Sequence, residues 1–201
     1  MTRPRTRIQA RNQETILQAA LDVFSTHGFR GATLDQIADV AGLSKPNLLY
    51  YFASKDAIYA QLLTGLLETW LDPLRAMNPV GDPIAELLGY VRRKLDLARD
   101  YPRESRLFAN EIIQGAPRMQ AAITVDLTAL VAEKAVILTQ WMEQGRIARL
   151  HPVHLIFSIW ALTQHYADFD FQVRAVLADG ADPFPLAQSH LETLFRKLLT
   201  P

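Results

Sequence analysis

The chain has 201 residues, about half of them apolar and a fifth charged, with no cysteine and a formal net charge of zero. Disulfides, thiolate metal sites and cysteine nucleophiles are therefore excluded. No stretch approaches the roughly 18 apolar residues of a membrane span, and the opening Met1-Thr-Arg-Pro-Arg-Thr-Arg7 lacks the apolar run of a secretory signal, so a bacterial or archaeal cytoplasmic protein is expected.

The apolar periodicity is helical almost throughout, which predicts an all-α fold. Ile16, Leu17, Ala20, Leu21 and Phe24 stripe a first helix that Gly28 ends. Thr33-Leu-Asp-Gln36 matches the capping box of a short second helix. Ser44 caps a third, with Pro46 tolerated in its first turn. Ser54 caps a fourth that runs to about Met77, with Pro73 kinking or ending it. After the loop 78–83, a fifth helix carries Ile84, Leu87, Leu88, Val91, Leu95 and Ala98 on one face. Pro102 opens a sixth helix that stops near Gly115. Long helices are expected over 121–144, 152–171 and 184–199. The sum is nine: three in a head and six in a body.

The charge is unevenly placed. Residues 1–55 hold Arg3, Arg5, Arg7, Arg11, Arg30, Lys45 and Lys55 against Glu14, Asp22, Asp35 and Asp39. A basic head on a neutral-to-acidic body is the electrostatic footprint of a nucleic-acid binder, although a solvated tail has the same composition. A domain over 1–53, with residues 1–11 as a flexible basic arm, and a body over 54–201 follow from this reading.

Ala38 and Gly42 supply the close approach and the turn of a helix-turn-helix, and Ile37, Leu43, Leu48 and Phe52 its apolar anchors. The third helix presents Ser44, Lys45, Pro46 and Asn47 on its first turn. Lysine can bond guanine O6 and N7, and asparagine can pair with adenine on the major-groove edge. Lys55 at a helix start is placed to clamp a phosphate. Tyr50 and Tyr51 carry hydroxyls for backbone oxygens, with the core of the head as the alternative place for Tyr51.

Residues 33–55, Thr-Leu-Asp-Gln-Ile-Ala-Asp-Val-Ala-Gly-Leu-Ser-Lys-Pro-Asn-Leu-Leu-Tyr-Tyr-Phe-Ala-Ser-Lys, closely resemble the DNA-binding signature of the TetR family. The resemblance implies that Thr33, Lys45, Asn47, Tyr51 and Lys55 face a double-stranded operator. Leu49 departs from the pattern, standing where the family often has tyrosine. The resemblance further implies a ligand-responsive regulator, a repressor in the usual case, that dimerises through its last two helices. The residues agree: Leu155–Leu162 is apolar nearly all round and must be buried on both sides, and Leu191, Leu194, Phe195 and Leu198 stripe the last helix.

Three body stretches, 68–74, 100–108 and 154–169, resemble the pyrimidine-utilisation regulators of that family, which implies uracil or thymine as effector. A flat lactam ring needs an aromatic face and an amide for its imide edge. Trp70 and Gln164 have those chemistries, Trp160 one turn before Gln164 extends the wall, and Phe108 and Glu111 complete the candidate set. Trp160 suits core or interface equally, and Glu111 suits an ion pair with an arginine such as Arg106. A more lipophilic effector is the alternative, favoured if Gln164 turns away from an apolar cavity. An enzyme is the remote one, built on His151-x-x-His154 or on His165 and Asp168. No cofactor, metal site or catalytic residue is expected: there is no serine elbow and no phosphate-cradling glycine loop.

Overall fold

A computed structural model describes residues 7–177 and 180–201. It comprises ten α-helices: α1 (Arg7–Gly31), α2 (Leu34–Ala41), α3 (Lys45–Tyr51), α4 (Lys55–Arg75), α5 (Pro83–Asp100), α6 (Pro102–Ile113), α7 (Thr128–Glu143), α8 (Pro152–Asp168), α9 (Asp170–Leu177) and α10 (Phe184–Leu199). A π-helical turn, Ala122–Leu127, leads into α7. No strand occurs among the described residues, and no described helix is long and apolar enough to cross a membrane.

Side-chain caps fix five of the starts, each meeting a backbone N–H that would otherwise lack a partner. Thr33 and Gln36 form the reciprocal capping box of α2. Ser44, Ser54 and Asp82 accept from the amides of Asn47, Ala57 and Ala85. His151 Nδ1 accepts from His154 N at 3.4 Å, so the His-x-x-His spacing serves a helix start here.

The expected helices differ from the observed ones in four places. The arm is shorter than 1–11: Arg7 to Arg11 are the first residues of α1, while Arg3 and Arg5 lie outside the described residues. Gly28 leaves helical geometry (φ 65°, ψ 171°), but a further turn carries α1 to Gly31. The helix expected over 121–144 opens in π register, and the Thr128 hydroxyl donates to the Ile123 carbonyl five residues back, a reach that fits the wider ring. The helix expected over 152–171 stops at Asp168 and restarts as α9, giving ten helices instead of nine.

Buried side chains form one continuous core from head to body. Ile16, Ala20, Phe24, Ile37, Leu48 and Phe52 hold the head together, while Leu87, Tyr90, Ile156, Ile159 and Phe195 centre the body. α5 packs most heavily on α8 and α10, and α1 packs on both α4 and α6. The last two contacts join the domains. Leu191 and Phe195, expected at an interface, belong to the subunit's own core, whereas Phe157, Leu162, Leu194 and Leu198 on α8 and α10 remain exposed.

Candidate DNA interface and effector cavity

Gly42 sits in the left-handed region (φ 67°, ψ 30°) and ends α2, with Leu43 N donating to Ala38 O at 2.9 Å. A β-carbon is disfavoured at that backbone geometry, which is why glycine stands there. The turn aims Leu48 and Phe52 into the core and leaves Ser44, Lys45, Pro46, Asn47, Leu49 and Tyr50 exposed. Lys45 Nζ reaches Asp35 at 2.9 Å in a solvent-exposed pair, a contact of small energetic worth that a competing base or phosphate can replace. Asn12 and Gln9 of α1 donate to the hydroxyls of Tyr51 (2.7 Å) and Tyr50 (3.3 Å), and the two tyrosine rings meet edge to face. Thr33 is exposed at the start of α2, its hydroxyl engaged in the capping box.

Lys55 does not stand free at the start of α4. Its ammonium donates to Phe29 O at 2.8 Å and Ala32 O at 2.7 Å, above the Phe29 ring. The break at Gly28 leaves carbonyls at the end of α1 in need of donors, and Lys55 supplies them. That bond ties α4 to α1.

In the body, a cavity of about 340 Å³ lies among α4, α5, α6, α8 and the π turn. Four sequence candidates line it together: Trp70, Phe108, Trp160 and Gln164. Trp160 Nε1 donates to Tyr90 Oη at 2.5 Å, which fixes the indole as a wall. The Gln164 carboxamide has no hydrogen-bond partner among the described residues, so its donors and acceptor are available to a guest. Most of the remaining wall is apolar, with Leu67, Leu71, Ile112 and Ile113 beside Ile123 and Leu127 of the π turn.

Two residues at the polar end were not among the effector candidates; Asp168 entered only in the enzyme alternative. Lys94 of α5 is 2 % exposed, and its Nζ lies 5.8 Å above the Trp70 ring. Burial pulls its pKa from 10.5 down to about 7, with the Asp168 carboxylate partly restoring it. Asp168 accepts from the fully buried Ser105 hydroxyl at 2.6 Å. Burial raises its pKa, opposed by that hydrogen bond and by Lys94, Arg106 and His165.

Glu111 lines a different space, which corrects its place in the effector set, and it pairs with an arginine, as the alternative reading expected. It is 2 % exposed and faces a cleft of about 910 Å³ between α6 and the broken end of α1. Its partner is Arg118, not Arg106: Arg118 donates from its backbone N (2.9 Å) and its guanidinium (3.3 Å). Three residues past Phe108, Glu111 is offset by about 60° around α6, on the side that Leu107, Asn110 and Gln114 turn to the cleft. The Arg118 guanidinium also stacks on Phe29 at 3.6 Å and reaches Asp56 at 3.2 Å. Burial first, and the Glu111 charge second, push the nearby Tyr59 hydroxyl up to about 12. His165 stacks on Phe169, and among the described residues no group of three histidine or carboxylate side chains is placed to hold a metal ion.

Comparison with known proteins agrees with this anatomy. Residues 16–62 match the family model for bacterial regulatory proteins of the tetR family, and residues 63–201 match that for the C-terminal region of YcdC-like proteins. The chain is 49 % identical over 175 residues to the HTH-type transcriptional regulator RutR of Escherichia coli K12, covering 87 % of this chain and 82 % of that one. It is 26 % identical over 137 residues to the HTH-type transcriptional repressor NicS of Pseudomonas putida, covering 68 % and 64 %. A crystal structure of a transcriptional regulator from Streptomyces coelicolor superposes with a TM-score of 0.71 at 28 % identity, over 94 % of this chain and 98 % of that one. With a helix-turn-helix head, a cavity-bearing helical body and these matches across both, the chain belongs to the TetR family of transcriptional regulators and is not an enzyme.

Proposed function

We propose that this regulator releases its operator when a pyrimidine base, uracil or thymine, enters the 340 Å³ cavity. The observation that carries the reading is the convergence of Trp70, Phe108, Trp160 and Gln164 on one small space, in a body that resembles the pyrimidine-utilisation regulators. Trp70 and Phe108 offer faces for stacking. The unpartnered Gln164 amide accepts from N3–H and donates to O4. The volume stands at the small end for ligand pockets and suits one ring better than a long acyl chain. The polar end at Lys94 and Asp168 disfavours the lipophilic alternative, because binding there would leave buried polar groups uncompensated.

In this reading two protomers pair through the exposed apolar residues of α8 and α10 and set two copies of α3 into successive major grooves of a palindromic operator. Lys45 and Asn47 read base edges, and Thr33, Ser44, Tyr50 and Tyr51 contact the backbone. Pro46 starts the helix, and Lys55 steadies the α1 end behind it. Two cavity helices also brace the head: α4 through Lys55, α6 through the Arg103–Asp22 ion pair. A ligand that prefers the DNA-incompetent spacing a hundredfold supplies about 2.7 kcal/mol per site.

Calorimetric titration and operator anisotropy test the two halves. Uracil and thymine bind while cytosine and uridine do not, and uracil lowers operator affinity. Uracil binding with no change in operator affinity would sink the coupling, and absence of any binding would sink the effector assignment.

A further inference from the structure

The cleft of about 910 Å³ between the end of α1 and α6 is larger than the effector cavity and shares no lining residue with it. Along α6 and its C-cap, Arg103, Arg106, Asn110 and Gln114 follow one another in steps of three and four, so they share one face, and that face lines the cleft. Arg30, in the turn of α1 beyond Gly28, lines it from the head.

Four arginines thus meet a single lining carboxylate, Glu111. Two of the four are already neutralised: Arg118 by Glu111 and Asp56, and Arg103 by Asp22. The other two are not. Arg30 makes no hydrogen bond or ion pair among the described residues. Arg106 makes one hydrogen bond, from Nη1 to Ala167 O of α8 at 3.3 Å, and no ion pair; the Asp168 carboxylate feels its charge from beyond contact distance. The side-chain amides of Asn110 and Gln114 are also unengaged. The carbonyl end of a helix repels anions, but Phe29 O and Ala32 O at the end of α1 already accept from Lys55.

We infer that this cleft is a second ligand site, for a small phosphorylated anion whose phosphate is held between Arg30 and Arg106. A guanidinium presents paired N–H donors that match the oxygens of an oxyanion. A phosphate carries up to two charges and three terminal oxygens, enough for both forks, whereas a monocarboxylate satisfies one. The bond to Ala167 O fixes one Arg106 nitrogen and leaves the others for the ligand. Asn110 and Gln114 offer donors and acceptors to the rest of the molecule, and the cleft has room for one of nucleotide size. Arg30 belongs to the head and Arg106 to the body, so an occupant ties the two across the packing of α1 on α6. Nothing in this site depends on a pyrimidine effector.

Calorimetric titration of the purified protein with pyrophosphate, AMP, adenosine and acetate tests it, in about 0.15 M salt, where exposed charges are screened beyond about 8 Å. Pyrophosphate and AMP bind with millimolar or tighter affinity, and adenosine and acetate do not. Arg30→Gln and Arg106→Gln change exposed side chains and leave the core untouched; each weakens AMP binding by about tenfold or more. Arg149→Gln, at an exposed arginine outside the cleft, leaves it within about twofold. AMP still binds when operator duplex is saturating. Failure of both pyrophosphate and AMP to bind, binding retained in either cleft variant, or an equal loss in Arg149→Gln overturns the site. AMP binding abolished by operator assigns the two arginines to the DNA backbone and overturns it as well.

Discussion

Replacing Lys94 with methionine stabilises the free protein. The side chain is buried on the inner face of α5, and its pKa falls from 10.5 to about 7. A lysine perturbed that far disfavours folding by roughly 4–5 kcal/mol at neutral pH relative to a solvated one. Methionine keeps the stem and the volume while removing the charge. Asp168 loses a cationic neighbour in the exchange but keeps the Ser105 hydrogen bond and the field of Arg106, so part of the gain is given back. The expected net is about 2–4 kcal/mol at pH 7. The sign with pH follows from the same shift. Between pH 7 and 10.5 the unfolded chain binds the proton that the folded chain has lost, so wild-type stability rises with pH in that window. The gap between variant and wild type narrows by about 2 kcal/mol from pH 7 to 9. Urea unfolding of both proteins at pH 6, 7, 8 and 9 measures this. A variant less stable than wild type, or a gap that does not change with pH, would show that Lys94 is solvated or paired in the folded state and refute the reasoning.

The remaining expectations concern the interfaces. Asn47→Ala relaxes operator sequence preference at one position per half-site by about 1–3 kcal/mol, read in a binding array of single-base variants; an unchanged preference removes Asn47 from base readout. Lys55→Ala loses two charge-assisted hydrogen bonds to the α1 end, costing about 1–3 kcal/mol in thermal unfolding, with the salt slope of operator binding unchanged. A slope reduced by about one would assign it a phosphate instead. Leu194→Glu, in the exposed stripe of α10, converts the dimer to a monomer in sedimentation and lowers operator affinity. A dimer that survives the change places the interface elsewhere.

Much of the fold was legible because the caps are local. Thr33 with Gln36, and Ser44, Ser54 and Asp82 announce their helices within four residues. The split of the penultimate helix at Phe169 and the π turn before α7 have no such marker. Four of the five effector candidates line one cavity. Lys94 escaped notice although its signal was present: it stands in register with Leu87, Val91 and Ala98, a charge on an apolar stripe. Asp168 carried a similar signal, one turn beyond Gln164 and two beyond Trp160 on α8. Glu111 misled because nearness in sequence to Phe108 says nothing about azimuth around α6, and its true partner comes from the loop after that helix. Lys55 misled for a different reason. A lysine at a helix start reads as a phosphate clamp until the further turn after Gly28, which only the backbone reveals, brings the Phe29 and Ala32 carbonyls beneath it.

The placement of Glu111 bears on how an effector signal reaches DNA. One side of α6 lines the cavity with Phe108 and Ile112, and another holds Glu111 against Arg118, whose guanidinium lies on Phe29 of the head and reaches Asp56 of α4. A rotation of α6 that makes room for a ring must move Glu111, and Arg118 moves with it. Glu111→Gln keeps the shape and the amide contact but drops the charge that holds the guanidinium. The expected outcome is uracil affinity within twofold of wild type, with less than half the wild-type release of operator, in titrations of the same preparation. A variant that releases DNA as fully as wild type would mean that the signal travels along α4 alone, through Trp70 to Lys55, and that Arg118 serves only to seat the head on the body.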